Sequence, residues 1–242
     1  MNKNNISYID NGVKSSGCLI FLHGWGNNKQ LMFPLAEKFK DVRTICVDLP
    51  GFGQSDLASN RTVYDYADEI YAFVKKHSLK NVILVGHSFG GKVAMVYASK
   101  YDVDKLVVLG APYKKTHIGF FKKIFYSLSK MIKVNFLRDI YIKLFGSEDY
   151  KNSNRKLREV MKSTVSTDIS LDIKRIKCPT LLIWGKLDEA VSLGDAYEIN
   201  SMIEDSAVIE IDQGTHYAYL EQTEYIYNII NTFIEIGDLD DN

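Results

Sequence analysis

Short apolar runs of four or five residues recur along the chain, at 18–22, 44–47, 82–85, 106–109, 180–184 and 207–211. Runs that are apolar at almost every position read as strands buried on both faces. Longer segments with helical spacing lie between most of them, at 63–77, 91–100, 193–203 and 224–236. In the first of these, Tyr66, Ile70, Phe73 and Val74 share one face. Strands alternating with helices predict an α/β fold, a mostly parallel sheet flanked by helices on both faces. At the start of the chain, 6–9 followed by Asp10-Asn11-Gly12 predicts an added edge hairpin.

Between 112 and 171 the alternation stops. No segment there has a strand pattern, and Phe121, Ile124, Phe125, Leu128, Met131 and Ile132 follow helical spacing. This predicts a helical cap, 112–171, inserted between two strands of a core domain made of 1–111 and 172–242. The acidic tail, 237–242, is expected to fray.

Composition narrows the possibilities. A chain of 242 residues suits one domain with a small insertion. Lys and Arg number 30, as do Asp and Glu, so no global charge points to nucleic acid. The first nine residues are polar, unlike a signal peptide. No apolar run reaches the roughly 18 residues of a membrane span. The three cysteines, Cys18, Cys46 and Cys178, cannot all pair and read as buried thiols of a reducing cytoplasm. No Cys or His spacing suits a metal, and no cofactor is called for.

The chemistry centres on Gly86-His87-Ser88-Phe89-Gly90, a Gly-x-Ser-x-Gly pattern. Alone it arises by chance in roughly one chain in ten of this length. Here a predicted strand ends just before it and a predicted helix begins just after. Such a turn lifts the Ser88 hydroxyl clear of the backbone and faces it with a helix N-terminus.

A serine hydroxyl needs a base. Of the five histidines (His23, His77, His87, His117 and His216), only His216 follows both the serine and an acid at a strand end. The acid expected to orient it is Asp188, just past 180–184; Asp212 is the rival, four residues before His216. Glu189 and Asp195 read as solvated. An oxyanion needs preorganised N–H donors. The backbone of Phe89 offers one, and that of Trp25, in the loop after 18–22, the other.

These pieces together resemble the α/β-hydrolase superfamily over nearly the whole chain. They are His23-Gly24-Trp25, Asp48-Leu49-Pro50-Gly51-Phe52-Gly53-Gln54-Ser55, the Ser88 turn, Trp184-Gly185-Lys186-Leu187-Asp188 and Gly214-Thr215-His216. The resemblance extends to small carboxylesterases and to the pimeloyl-acyl-carrier-protein methyl ester esterases. It implies a serine esterase with an acyl-enzyme intermediate and a structural role for Asp48 to Ser55. It also places His87 beside the site. A lyase of the menaquinone pathway and haloperoxidase-like perhydrolases share the same triad. A serine nucleophile argues against the dehalogenases and epoxide hydrolases, which use aspartate. A non-catalytic ligand-binding member is the remaining alternative.

Charge is unevenly distributed. Residues 112–171 hold 13 Lys and Arg against 5 Asp and Glu, a net of +8, which leaves the rest at −8. Lys114, Lys115, Lys122, Lys123, Lys130 and Lys133 accompany the apolar stripe. Three readings follow: a solvated face whose stripe lines an acyl pocket, docking of an acidic acyl carrier protein, or attachment to an anionic membrane surface. In each, Trp25, His87, Phe121 and Phe125 are expected around a small-molecule acyl ester.

Overall fold

The computed structural model describes residues 5–56, 62–115, 163 and 167–235. Its strands are β1 (Tyr8–Asp10), β2 (Cys18–Leu22), β3 (Arg43–Val47), β4 (Val82–His87), β5 (Lys105–Leu109), β6 (Thr180–Gly185) and β7 (Ser206–Ile211). The helices are α1 (Lys29–Ala36), α2 (Val63–Lys76), α3 (Phe89–Lys100), α4 (Ser170–Ile173), α5 (Leu193–Asn200), α6 (Ala218–Glu221) and α7 (Thr223–Glu235). One sheet runs β1-β3-β2-β4-β5-β6-β7, parallel throughout except at β1. Because β2 to β7 are nearly all apolar, each face needs a cover. Leu22, Leu84 and Val108 pack with α2, α3 and α5 on one side. Phe21, Val85 and Val107 pack with α1 and α7 on the other.

The strand order creates the place where a site can form. From β2 the chain moves outward to β3, then returns across β2 to β4. The crossovers between them, α1 and α2, lie on opposite faces, so a crevice opens above the carboxyl ends of β2 and β4. Those ends lead into His23 and Ser88.

Local signals explain most elements. Helix α2 opens on a capping box, with Thr62 and Asp65 each hydrogen bonding the other's backbone N–H. It buries Tyr66, Ala67, Ile70, Phe73 and Val74. Helix α1 lacks a readable pattern because Pro34 sits inside it. The Asn28 side chain caps it, and burial of Leu31, Met32, Leu35 and Ala36 outweighs the backbone bond that proline removes.

Three expectations need correction. The first strand is at an edge but forms no hairpin with β2; it pairs antiparallel with β3, Ile9 opposite Cys46. Both sides of β2 are already taken by β3 and β4, so only the outer side of β3 is open. Arg43 and Asp10 add an ion pair there, Nη2 to Oδ2 2.7 Å. The third of the α/β helices, α5, stops at Asn200 rather than Ile203. Of the three cysteines, all free, Cys18 and Cys46 are buried but Cys178 only half-buried. Phe121, Phe125, His117, Lys122, Lys123, Lys130, Lys133 and nearly all of the expected cap lie outside the described residues.

The described residues on either side of 116–166 meet beside the core. The Ile169 N–H donates to Tyr113 O at 3.1 Å, and Tyr64 Oη donates to Asp172 Oδ2 at 2.7 Å. Lys92, on α3, is 2% exposed and gives its ammonium to Thr167 O at 2.6 Å. Burial lowers its pKa from 10.5 to about 8, with Asp168 opposing the shift. The folded chain therefore releases this proton at a lower pH than the unfolded chain does. Stability should rise relative to Lys92→Met as pH increases between about 8 and 10.5, by ~1–3 kcal/mol. Urea unfolding of both proteins across that range measures the gap, which should be constant if Lys92 titrates alike in both states.

Candidate active site

At the end of β4 the chain turns sharply into α3. Ser88 takes φ 53° and ψ −115°, a left-handed conformation that costs a non-glycine residue ~1–3 kcal/mol. Close packing enforces it. A Cβ on Gly86 would stand 2.5 Å from Gly90 O, and one on Gly90 would run into Leu22 O of β2. The Ser88 N–H is held by Leu109 O at 2.9 Å, and Ser88 O accepts from the Lys92 N–H at 3.1 Å. The hydroxyl thus stands over the N-terminus of α3, where the first-turn N–H groups have no intrahelical partner.

His216 comes from the loop after β7 and Asp188 from the loop after β6. The loops are bound to each other by Leu187 N–H to Gly214 O, 2.8 Å. His216 Nε2 lies 3.0 Å from Ser88 Oγ, and Nδ1 lies 2.8 Å from Asp188 Oδ2. The side chains of His216 and Asp188 are 0% and 1% exposed. The carboxylate only accepts, so Nδ1 carries the proton and Nε2 is left to accept from the serine. The other Asp188 oxygen is occupied by the N–H groups of Ala190 and Val191, at 2.7 and 2.9 Å. Asp212, the rival acid, is 83% exposed and pairs with Lys186 at 2.9 Å. Glu189 is exposed; Asp195 is half-buried, 4.0 Å from Lys114.

The loop after β2 is held from below. His23 Nε2 accepts from the Leu49 N–H at 3.0 Å, and Nδ1 donates to Gly24 O at 2.8 Å. Burial keeps His23 well below the ordinary imidazole range, so it is a neutral brace between two loops. Trp25 follows, its ring edge-on to Phe52 at 4.9 Å and to Phe89 at 5.1 Å. Both residues weighed as oxyanion donors, Trp25 and Phe89, are therefore side by side next to Ser88. Trp25 as a whole is 8% exposed. His87, expected around the substrate, is 1% exposed and turns its Nε2 to His216 O at 2.9 Å.

Two residues that sequence reasoning passed over support this arrangement. Lys29 is a buried cation whose Nζ lies 2.6 Å from Asp48 Oδ2, 2.8 Å from Ser7 Oγ and 3.1 Å from Gln54 Oε1. Asp48, 0% exposed, also accepts from the N–H groups of Lys29 and Gln54 at 2.7 and 2.9 Å. The signal was a lysine within the apolar spacing of Leu31, Met32 and Leu35. Asn27, 4% exposed, is the second; in the run Gly26-Asn27-Asn28 it reads as a turn residue and gives no such signal.

Cavities of about 360 and 490 Å³ lie at the opposite end of the sheet, lined in part by Asp104, Cys178, Cys18 and Lys105. Neither touches Ser88. Among the described residues no cluster of His, Cys, Asp and Glu suits a metal ion, and no helix is long and apolar enough to cross a membrane.

A family profile described as "alpha/beta hydrolase fold" matches residues 17–140. The AB hydrolase superfamily protein YisY of Bacillus subtilis is 30% identical over 89% of this chain and 90% of its own length. A pimeloyl-[acyl-carrier protein] methyl ester esterase of Shewanella woodyi is 28% identical over 72% of this chain and 76% of its own. An esterase from Exiguobacterium antarcticum superposes with TM-score 0.75 at 21% identity, over 96% of both chains. A meta-cleavage product hydrolase from Pseudomonas fluorescens gives 0.78 at 21%, over 97% of this chain and 95% of that one. At these identities the superpositions establish the fold alone.

The buried pair of Lys29 and Asp48 sets a stability expectation. Lys29→Met strands a buried carboxylate and should cost ~3–5 kcal/mol. Adding Asp48→Asn should restore part of the loss, as read from urea unfolding midpoints.

Proposed function

The chain belongs to the α/β-hydrolase family, and on that premise we propose that it is a serine esterase with Ser88 as nucleophile, His216 as base and Asp188 as the acid that orients it. The observation that carries the proposal is the pair of contacts through one imidazole, 3.0 Å to Ser88 Oγ and 2.8 Å to Asp188 Oδ2. His216 takes the hydroxyl proton as Oγ attacks the ester carbonyl. The oxyanion is held by the backbone N–H groups of Phe89 and Trp25. Collapse expels the alcohol, protonated by His216, and leaves an acyl group on Ser88. Water, deprotonated by His216, then releases the acid and frees the serine.

The substrate proposed is a carboxylic ester or thioester with an apolar acyl group. The names of relatives that act on a carrier-bound methyl ester support this class. We extend the proposal to the domain plan: 1–111 and 172–242 form the core, and 112–171 a cap carrying Phe121 and Phe125 over the acyl group. The hydrogen bond from Ile169 N–H to Tyr113 O, which joins the described residues on either side of 116–166, supports an insertion. Its surplus of +8 over a core at −8 supports docking of an acidic acyl carrier protein.

A panel of p-nitrophenyl esters of graded chain length, with matching thioesters, tests the chemistry. Wild type should turn over short or medium acyl esters, and Ser88→Ala should not. Asp188→Asn should lower kcat by roughly 10⁴, whereas Asp212→Asn should leave it near normal. An inert panel with a still-reactive Ser88 points instead to a lyase or perhydrolase on the same triad. For the partner, kcat/KM on a carrier-bound ester should fall steeply with salt and with Lys122→Glu plus Lys123→Glu. A flat salt response contradicts carrier docking, and binding to anionic vesicles would place the basic surface on a membrane.

A further inference from the structure

His87 ends β4 directly before the serine, and its buried ring sits 4.8 Å from that of His216. Its Nε2 faces the His216 carbonyl at 2.9 Å. A carbonyl only accepts, so Nε2 bears the proton and Nδ1 is an acceptor. Burial foremost, then the adjacent His216, hold His87 well below the ordinary imidazole range, so the ring is neutral and this tautomer persists. Nδ1 is buried with no hydrogen-bond partner. Asn27, 4% exposed, is in the complementary condition: its Nδ2 is a buried donor with no acceptor.

The two nitrogens face one small space beside the nucleophile. A Cβ built on Gly24 would meet His87 Nδ1 at 3.0 Å, Ser88 Cβ at 3.2 Å and Asn27 Nδ2 at 3.3 Å. Each group left unpaired costs ~1–3 kcal/mol, and pairing them removes both costs. Glycine at 24 keeps the space between them clear. The carboxamide belongs to the loop that carries Trp25, where the Asn27 backbone N–H is fixed on Gly24 O at 3.2 Å.

We propose that Asn27 and His87 form a positioning strut for the base: Asn27 donates to His87 Nδ1, directly or through one water, and His87 Nε2–H holds the His216 carbonyl. The strut ties the Trp25 loop to the His216 loop across the back of Ser88. It sets the angle at which His216 Nε2 meets the hydroxyl and leaves substrate affinity alone. The inference rests on the serine esterase reading and goes one step further, to what orients the base.

Steady-state kinetics on p-nitrophenyl butyrate separate the two. His87→Phe, which keeps the volume and removes both nitrogens, should lower kcat on the order of 10- to 100-fold with KM changed less than about threefold. His87→Gln, whose amide reaches the same carbonyl, should recover most of that loss. Asn27→Leu should also lower kcat, and the double variant Asn27→Leu with His87→Phe should be no slower than His87→Phe alone. In the wild type, imidazole ¹⁵N shifts should place the His87 proton on Nε2. The strut is overturned by unchanged kcat in a folded His87→Phe, by losses at the two positions that simply multiply, or by a proton on Nδ1. Should His87→Phe fail to fold, Asn27→Leu and the ¹⁵N shifts decide. A wild type that hydrolyses no ester overturns the esterase reading and the strut with it; an active wild type with an indifferent His87→Phe overturns the strut alone.

Discussion

The close approach of β2, β4 and α3 leaves no room for a side chain at Gly86 or Gly90, and this crowding bends the chain at Ser88 into a left-handed conformation. The bend costs ~1–3 kcal/mol locally, offset by the packing of the strands that cause it and by the bond from Ser88 N–H to Leu109 O. Everything else about the site is arranged around the point where the hydroxyl emerges. The reversal of strand order between β2 and β4, which are parallel neighbours, opens the crevice above it. The helix that follows presents its N-terminus. The loops after β6 and β7, clipped together by Leu187 N–H to Gly214 O, deliver the imidazole and the carboxylate from the far side.

Three buried histidines meet in this region, and their environments divide their roles. His23 and His87 each have a nitrogen committed to backbone, and desolvation holds both in the neutral form. They behave as rigid, directional braces. His216 differs because its Nδ1 faces a carboxylate and its Nε2 faces a hydroxyl. A cation formed on that ring has a carboxylate oxygen at 2.8 Å, whereas the hydrogen-bonded nitrogens of the two braces face backbone groups. Under the proposed function the same side chain serves as fixed scaffold or as proton carrier, according to what faces its two nitrogens.

Much of this was legible in the sequence, and the reasons are physical. Buried parallel strands must be apolar on both faces, so β2 to β6 announce themselves within a residue or two. The turns that carry Ser88, Asp188 and His216 need small residues at fixed offsets, so they too leave a signature. What escaped detection depends on space rather than spacing. Helix α1 was hidden by Pro34, whose cost is outweighed by packing that no local pattern reports. The outer position of β1 follows from β2 having both sides occupied, a property of the assembled sheet. Lys29 looks like an ordinary helix lysine until Asp48 is brought against it, and Asn27 like an ordinary turn residue until its side chain is buried near His87.

The central claim is that Ser88 is a nucleophile activated by His216, and the most direct measurement is covalent capture. Wild type treated with a fluorophosphonate, digested and mapped by mass spectrometry should carry one adduct, on the peptide containing Ser88. His216→Ala should slow its formation by several orders of magnitude, since the hydroxyl would lose its base. An adduct on any other residue, or labelling of Ser88 at the same rate without His216, would contradict the account.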